Sequence, residues 1–254
     1  MKMKKLFSAI ALTALLASCG GTKSYTIDGT ISLDGINDGD TISLGYSVDG
    51  AEYIPEAYAV VKDGKFQFTG ETENCKLYYL VKHATEEPLT LLFLEGGNIK
   101  ADITNEKFAI TGTESNDLST ELQDALAAPA AEMQEKQMRL YMDTTLTDEQ
   151  RQAIIGELQE SADKLSGMAK EFITSNIKTM AALFMLIQCA DIFENDELSA
   201  LLDQVPEENK DTTNNRLFYI LQEIQNQRNN PQDFSEYFKS IENSEEAATE
   251  ESAE

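Results

Sequence analysis

Thiols, imidazoles and positive charge are all scarce in this chain. Its 254 residues carry three cysteines, one histidine and no tryptophan, with Lys+Arg 20 against Asp+Glu 45. No C-x-x-C occurs, and apart from Cys19 the cysteines are Cys75 and Cys189, far apart and in or beside apolar segments. A redox dithiol or a thiolate zinc site draws on ligands at short spacing, so neither is expected. The two read as buried free thiols, with a long-range disulfide as the alternative. A Ser–His–Asp triad or a histidine metal site would have to use His83, which closes the strand-like "LYYLVKH" and reads as a rim residue. The formal charge of −25 argues against nucleic acid, whose phosphates are neutralised by Lys and Arg. Long hydrophobic runs are missing too. Leu6 to Leu16 and Met180 to Phe193 both fall short of the roughly 20 apolar residues that span a bilayer, and the second reads as a buried helix.

What is present begins with an address. Lys2, Lys4 and Lys5 precede the apolar run Leu6 to Leu16 and the small residues Ala17 and Ser18, the pattern of a secretory signal. Leu16-Ala17-Ser18-Cys19 resembles the bacterial lipobox. That likeness implies that residues 1–18 are removed, that Cys19 is lipidated on sulfur, and that residues 19–24 form a tether. Each buried CH2 of an acyl chain contributes roughly 0.8 kcal/mol, so several chains hold a soluble body at a membrane. Loss of the three lysines leaves 17 basic residues against 45 acidic ones, so attachment rests on lipid rather than on attraction to anionic headgroups. The expected location is the Gram-negative envelope, at the outer membrane. Gly20-Gly21-Thr22-Lys23 lacks acidic residues, which favours the periplasmic face. Residues 241–254 are acidic and almost free of large apolar side chains, and read as a disordered tail.

Between tether and tail the chain has two grammars. From residue 25 to 113 apolar residues alternate, as in "YTIDGTISL", "DTISLGYSV" and "GKFQFTG", the sign of strands with one buried face. Further strands are expected at Leu77 to Lys82, Leu89 to Leu94, Ile99 to Ile103 and Phe108 to Thr111. Asp63-Gly64 suits a two-residue hairpin, because type I′ turns need positive φ at both positions. Seven or eight short strands suggest an antiparallel sandwich or barrel-like domain. Residues 114–240 change to helical spacing. Leu118, Leu122, Leu126, Met133 and Leu140 form one stripe, interrupted by Pro129, where a kink or break is expected. Thr147-Asp148-Glu149-Gln150 has the form of a capping box, followed by a stripe of Ile154, Leu158, Leu165, Met168, Phe172 and Ile173. Shorter helices follow at Glu197 to Leu202 and Asn214 to Gln227, and a last apolar segment at Phe234 to Ile241. The fold class is therefore α+β, a sandwich-like domain followed by a helical domain.

These residues resemble a family. Tyr25-x-Ile27-x-Gly29-x-Ile31, Gly39-Asp40-x-Ile42-x-Leu44, Asp63-Gly64-Lys65-Phe66-x-Phe68-x-Gly70 and Leu92-x-Leu94-Glu95-x-Gly97-Asn98-Ile99 are similar to the N-terminal domain of unknown function in certain bacterial envelope lipoproteins. In that family a helical segment follows, then a thioredoxin-like or peroxiredoxin-like domain. Phe172-Ile173-x-x-Asn176 and Leu201-Leu202 also resemble its helical linker. The redox domain would begin near Asn230-Pro231, and the sequence given runs only to Glu254 without a dithiol. No catalytic residue carries over.

Other constellations are weaker. Asp34, Asn37, Asp38 and Asp40 offer oxygens of the kind calcium prefers, but Ile36 stands where a second ligand belongs, so a turn is expected. Tyr46, Tyr53, Tyr58, Tyr78 and Tyr79 give the β-domain an aromatic supply suited to a sugar or peptide face. The expected function is a non-catalytic, lipid-anchored binding or assembly module, without cofactor or metal, with the membrane and an envelope protein as partners. The rival expectations are an accessory subunit of a separately encoded thioredoxin-like protein, and a carboxylate-based hydrolase.

Overall fold

The structure is a computed structural model and describes residues 22–48, 52–211 and 215–230. The signal, residues 19–21 with Cys19, the Phe234 to Ile241 segment and the acidic tail lie outside the described residues, while the rest of the expected tether, residues 22–24, runs into the first strand.

Eight strands come first: β1 Lys23–Ser32, β2 Thr41–Val48, β3 Glu52–Val60, β4 Lys65–Thr72, β5 Lys76–Lys82, β6 Glu87–Leu94, β7 Gly97–Thr104 and β8 Phe108–Thr111. They form two four-stranded sheets, one ordered β4-β1-β7-β8 and the other β3-β2-β5-β6. Alternating residues from both sheets fill the space between them, among them Ile27, Ile42, Leu44, Phe68, Leu80, Leu92, Ile99 and Ile103. The α+β reading and its strand-then-helix order are what is found. The pairing differs in one place: β1 and β7 run parallel, Ile27 opposite Ile99 and Ile31 opposite Ile103, while the other ladders are antiparallel. Five strands intervene, β2, β3, β5 and β6 in the second sheet and β4 on the other side of β1, so no tight hairpin joins this pair. The Asp63-Gly64 turn has positive φ at both residues, 51° and 67°, as a type I′ hairpin requires.

Strand β3 was not legible as an alternating strand. Its sequence carries Pro55 with Glu52 and Glu56 (EYIPEAYAV), residues that strands usually avoid. It sits at an edge of its sheet, where a missing donor is tolerated.

Five helices follow: α1 Glu114–Met142, α2 Asp148–Asn176, α3 Met180–Gln188, α4 Asn195–Asp203 and α5 Arg216–Asn229. Helix α1 continues through Pro129 instead of breaking there. Its C-terminal half is held by α2: Arg151 donates to the carbonyls of Leu140 and Asp143, and Lys136 reaches Ser161 and Glu157. These side chains bridge the two helices on the C-terminal side of the proline. The expected capping box is present, Gln150 N–H donating to Thr147 Oγ1 and Thr147 N–H to Gln150 Oε1. No described helix is long and apolar enough to cross a membrane.

The helices cover the outer face of the β3-β2-β5-β6 sheet at β5 and β6, leaving Tyr58 and Val60 of β3 exposed. Leu92 and Leu94 point into the sandwich, whereas Phe93 between them is fully buried among Ile173, Leu183, Leu186 and Leu198. Its ring meets Phe184 edge-on at 6.1 Å. Burial on both faces is why "LLFL" reads as an unbroken apolar run rather than an alternation.

Candidate binding cleft

The cleft starts from an irregularity in β2. Leu44 pairs with Ala57, but the next residue, Gly45, pairs with Pro55, leaving Glu56 as an extra residue on β3. This is a β-bulge, which bends the strand and re-aims the extra side chain. Gly45 is required for it. A Cβ at that position would stand 2.1 Å from the Ile54 carbonyl oxygen.

At the same level the neighbouring ladder ends. Strands β2 and β5 pair from Ile42–Lys82 to Gly45–Tyr79. Beyond that rung β2 continues to Val48 along β3, and β5 runs back to Lys76 along β6. The sheet therefore forks, with Tyr46 and Ser47 on one arm and Tyr78, Leu77 and Lys76 on the other. The ring of Tyr46 meets that of Tyr78 edge-on at 5.8 Å. The bulged Glu56 accepts a 2.6 Å hydrogen bond from the Tyr78 hydroxyl. Burial, and then the Glu56 carboxylate, push the Tyr78 phenol well above the ordinary tyrosine range. Burial and Glu56 raise Tyr25 in the same direction. Tyr78 is thereby held protonated as the donor to Glu56.

The fork opens towards the helices. Met180, Phe184 and Ile187 of α3 and Asn215, Arg216, Leu217 and Ile220 at the start of α5 form its far wall, enclosing about 610 Å³. Asn215 fixes that wall: its amide donates to the Asn209 carbonyl and its Oδ1 accepts from Phe218 N–H at the head of α5. Lys76 and Arg216 bring positive charge, and Glu56 is the one carboxylate among the described lining residues. The lining thus pairs backbone edges and aromatic rings with an apolar wall and two cations. Hydrolysis by paired carboxylates needs a second acid facing the first; Glu56 has none among the residues lining this cleft.

Of the tyrosines picked out in the sequence, Tyr46, Tyr78 and Tyr79 line the cleft. Tyr53 donates instead to Ser43 Oγ, and Tyr58 stacks edge-on against His83 at 4.9 Å. His83 is exposed at the strand end. The acidic loop is a turn: Asp38 accepts from Gly64 N–H and Asp40 from Asn37 N–H. No group of three His, Cys, Asp or Glu is placed for a metal among the described residues. Cys75 and Cys189 are free thiols. Cys75 donates to Glu95 at 3.4 Å, and burial followed by the Glu95 charge raises its thiol well above the usual range.

Sequence reasoning missed Gly45, Glu56 and Lys76. A signal existed for the first, since a glycine inside "TISLGYSV" marks a bulge or a close backbone approach. Nothing local marks Glu56, because its role depends on the register of another strand.

Residues 25–119 match the family model described as a domain of unknown function (DUF4369). The chain thus carries a two-sheet domain similar to that family, with the helices beyond residue 119 outside the match. Both arms of the fork lie inside the matched region, and the helical wall lies outside it. No curated protein matches the chain.

Proposed function

We propose that this chain is a lipid-anchored protein of the Gram-negative envelope that acts as a non-catalytic binding or assembly module, with lipidated Cys19 as its membrane attachment. The observation that supports binding most directly is the forked sheet facing an apolar helical wall. A concave site with a few converging polar groups is the usual form of a ligand site, and here a bulge keeps it open at a cost in backbone pairing. The lipobox-like Leu16-Ala17-Ser18-Cys19 supports the anchor.

Two experiments test this. Expression with labelled palmitate gives a labelled, detergent-partitioning protein that becomes unlabelled with Cys19→Ala; label retained in the variant overturns the anchor. A thermal-shift panel of short peptides, oligosaccharides and organic acids on the purified mature chain yields at least one class that raises the unfolding midpoint. Ile220→Glu, which places a charged side chain on the cleft wall, abolishes the rise. A panel without any rise, or turnover of a substrate lost with one point change, overturns the non-catalytic binding reading.

A further inference from the structure

We propose that the free face of α1, from Asp124 to Tyr141, pairs with the same face of a second copy of this chain, the two helices running antiparallel about a twofold axis. This surface shares no residue with the cleft, so the inference goes beyond the binding reading and stands apart from it.

The spacing along α1 supplies the first argument. Ala127, Ala131, Gln134, Met138 and Tyr141 follow one another at alternating steps of four and three residues, the spacing that keeps a stripe turned towards a partner helix. The same steps lead back through Asp124 to Thr120. There the stripe is already in use: Thr120 is buried, its hydroxyl bonded to Ile110 of β8. Further on, every member of the stripe is exposed. Helix α2 takes another side of α1, where Lys136 and the Leu140 carbonyl bond to it. Met138 and Tyr141 are 60% and 82% exposed, and Met142 beside them 76%. Adjacent exposed apolar side chains of this size mark an interaction surface.

The order of sizes points to a second copy as the occupant. The alanines lie towards the sandwich, and Met138 and Tyr141 lie towards the tip. An antiparallel twofold sets large against small: Met138 faces Ala127, Tyr141 faces Asp124, and Ala131 faces Gln134 at the axis. A parallel pair would oppose Tyr141 to itself and leave a gap between alanines. A twofold contact requires such self-complementarity, and alternating large with small is what fills a helix interface. The same arrangement carries the tip towards the partner's β8, where Phe108 is 40% exposed.

Charge agrees. Two chains of formal charge −25 repel each other, so they meet best where net charge is low. Residues 125–131 carry no charge. Lys107 neutralises Asp124 at 2.9 Å, and Lys136 neutralises Glu132 at 3.0 Å. In this register Glu135 lies opposite Ala130 rather than another acid. Asp148 and Glu149, at the head of α2 beside the tip, disfavour an anionic membrane as the occupant.

The test is the mass of the mature chain, carrying Cys19→Ala to remove the lipid, by light scattering from roughly 1 µM to 1 mM. The mass is expected to rise from that of a monomer towards twice that value. Met138→Glu and Tyr141→Glu, both at exposed positions, each weaken association about tenfold and leave the unfolding midpoint of the monomer in place. Tyr219→Glu, at an exposed aromatic of α5, leaves association unchanged. Oxidation of a mixture of the Ala127→Cys and Met138→Cys chains gives a disulfide between unlike copies that neither chain gives alone. Monomer mass throughout the range, association insensitive to Met138→Glu and Tyr141→Glu, or cross-linking of either cysteine variant by itself overturns the proposal. A monomer that binds phosphatidylglycerol vesicles through Tyr141 overturns it too and gives the face to the membrane. None of these outcomes bears on the cleft, which Ile220→Glu tests separately.

Discussion

The outer sheet ends at β6 and forks between β2 and β5, and the protein treats these two places differently. At the β6 edge, helix α1 lays a side-chain amide against the backbone. Asn116 Oδ1 accepts from Phe93 N–H at 2.9 Å, and its Nδ2 donates to the Phe93 carbonyl at 2.7 Å. One turn on, Thr120 Oγ1 does the same for Ile110 on the β8 edge of the other sheet, bonding its N–H and its carbonyl. Two polar residues four apart on one helix thus clasp one edge strand of each sheet. Asn116 is 1% exposed and Thr120 9%, so these bonds form where water cannot replace them. At the β2–β5 fork the rings of Tyr46 and Tyr78 meet across the gap instead, and Glu56 accepts from the Tyr78 hydroxyl. An open edge invites pairing with another chain. Polar side chains thus clasp the backbone at one edge of each sheet, whereas aromatic side chains meet across the fork.

Substitutions separate the two. Phe93→Ala has the largest expected effect, a loss of about 4 kcal/mol. Its ring anchors the helices to the sheet, and its backbone is what Asn116 clasps. A urea midpoint that scarcely moves would show that the helices are not held there. Asn116→Ala leaves the Phe93 N–H and carbonyl buried without partners and costs about 3 kcal/mol; amide exchange at Phe93 should accelerate together with the fall in midpoint. Gly45→Ala drives a Cβ into the Ile54 carbonyl and costs about 2 kcal/mol. It also disturbs the fork, so any ligand-induced rise in the unfolding midpoint should shrink more than stability alone accounts for.

Tyr78→Phe is milder, about 1 kcal/mol, and carries a pH signature. The Tyr78 phenol is pushed up in the folded protein, so the native state keeps a proton that the unfolded chain releases above about pH 10. The stabilisation is complete below that range and is lost as pH rises through it. Urea midpoints should therefore fall on the alkaline side, and fall less steeply with Tyr78→Phe. Equal slopes would mean that the Glu56 contact does not hold the proton. The smallest effect concerns the thiols. Both are raised, Cys75 more strongly than Cys189, so an alkylating reagent at neutral pH should label Cys189 first. Labelling of Cys75 first would put the Glu95 contact in doubt.

Much of the fold was legible along the chain because its causes are local. Alternation marked most strands, Asp63-Gly64 marked its turn, and Thr147 with Gln150 marked the head of α2. The expected stripe of α1, from Leu118 to Leu140, is half-buried against its neighbours, and Ile154 and Ile173 of α2 are buried. Pro129 misled because the cost of a proline in a helix is local, whereas what keeps α1 continuous is α2 lying alongside. The cleft was hardly legible. The aromatic supply was visible, but Tyr53 and Tyr58 went elsewhere, and Asn116 read as an ordinary polar residue near a helix start.

By itself the sequence determined the strand and helix periods, the hairpin, the acidic balance and the lipobox-like opening, since each is written in neighbouring residues. Only the tertiary structure decided the parallel β1–β7 pair, the clasp of Asn116 on Phe93 and the fork at Gly45. Each of these joins residues distant in the chain through backbone register. A change of one residue in that register, such as the extra Glu56, re-aims a side chain and parts two strands without altering any local pattern.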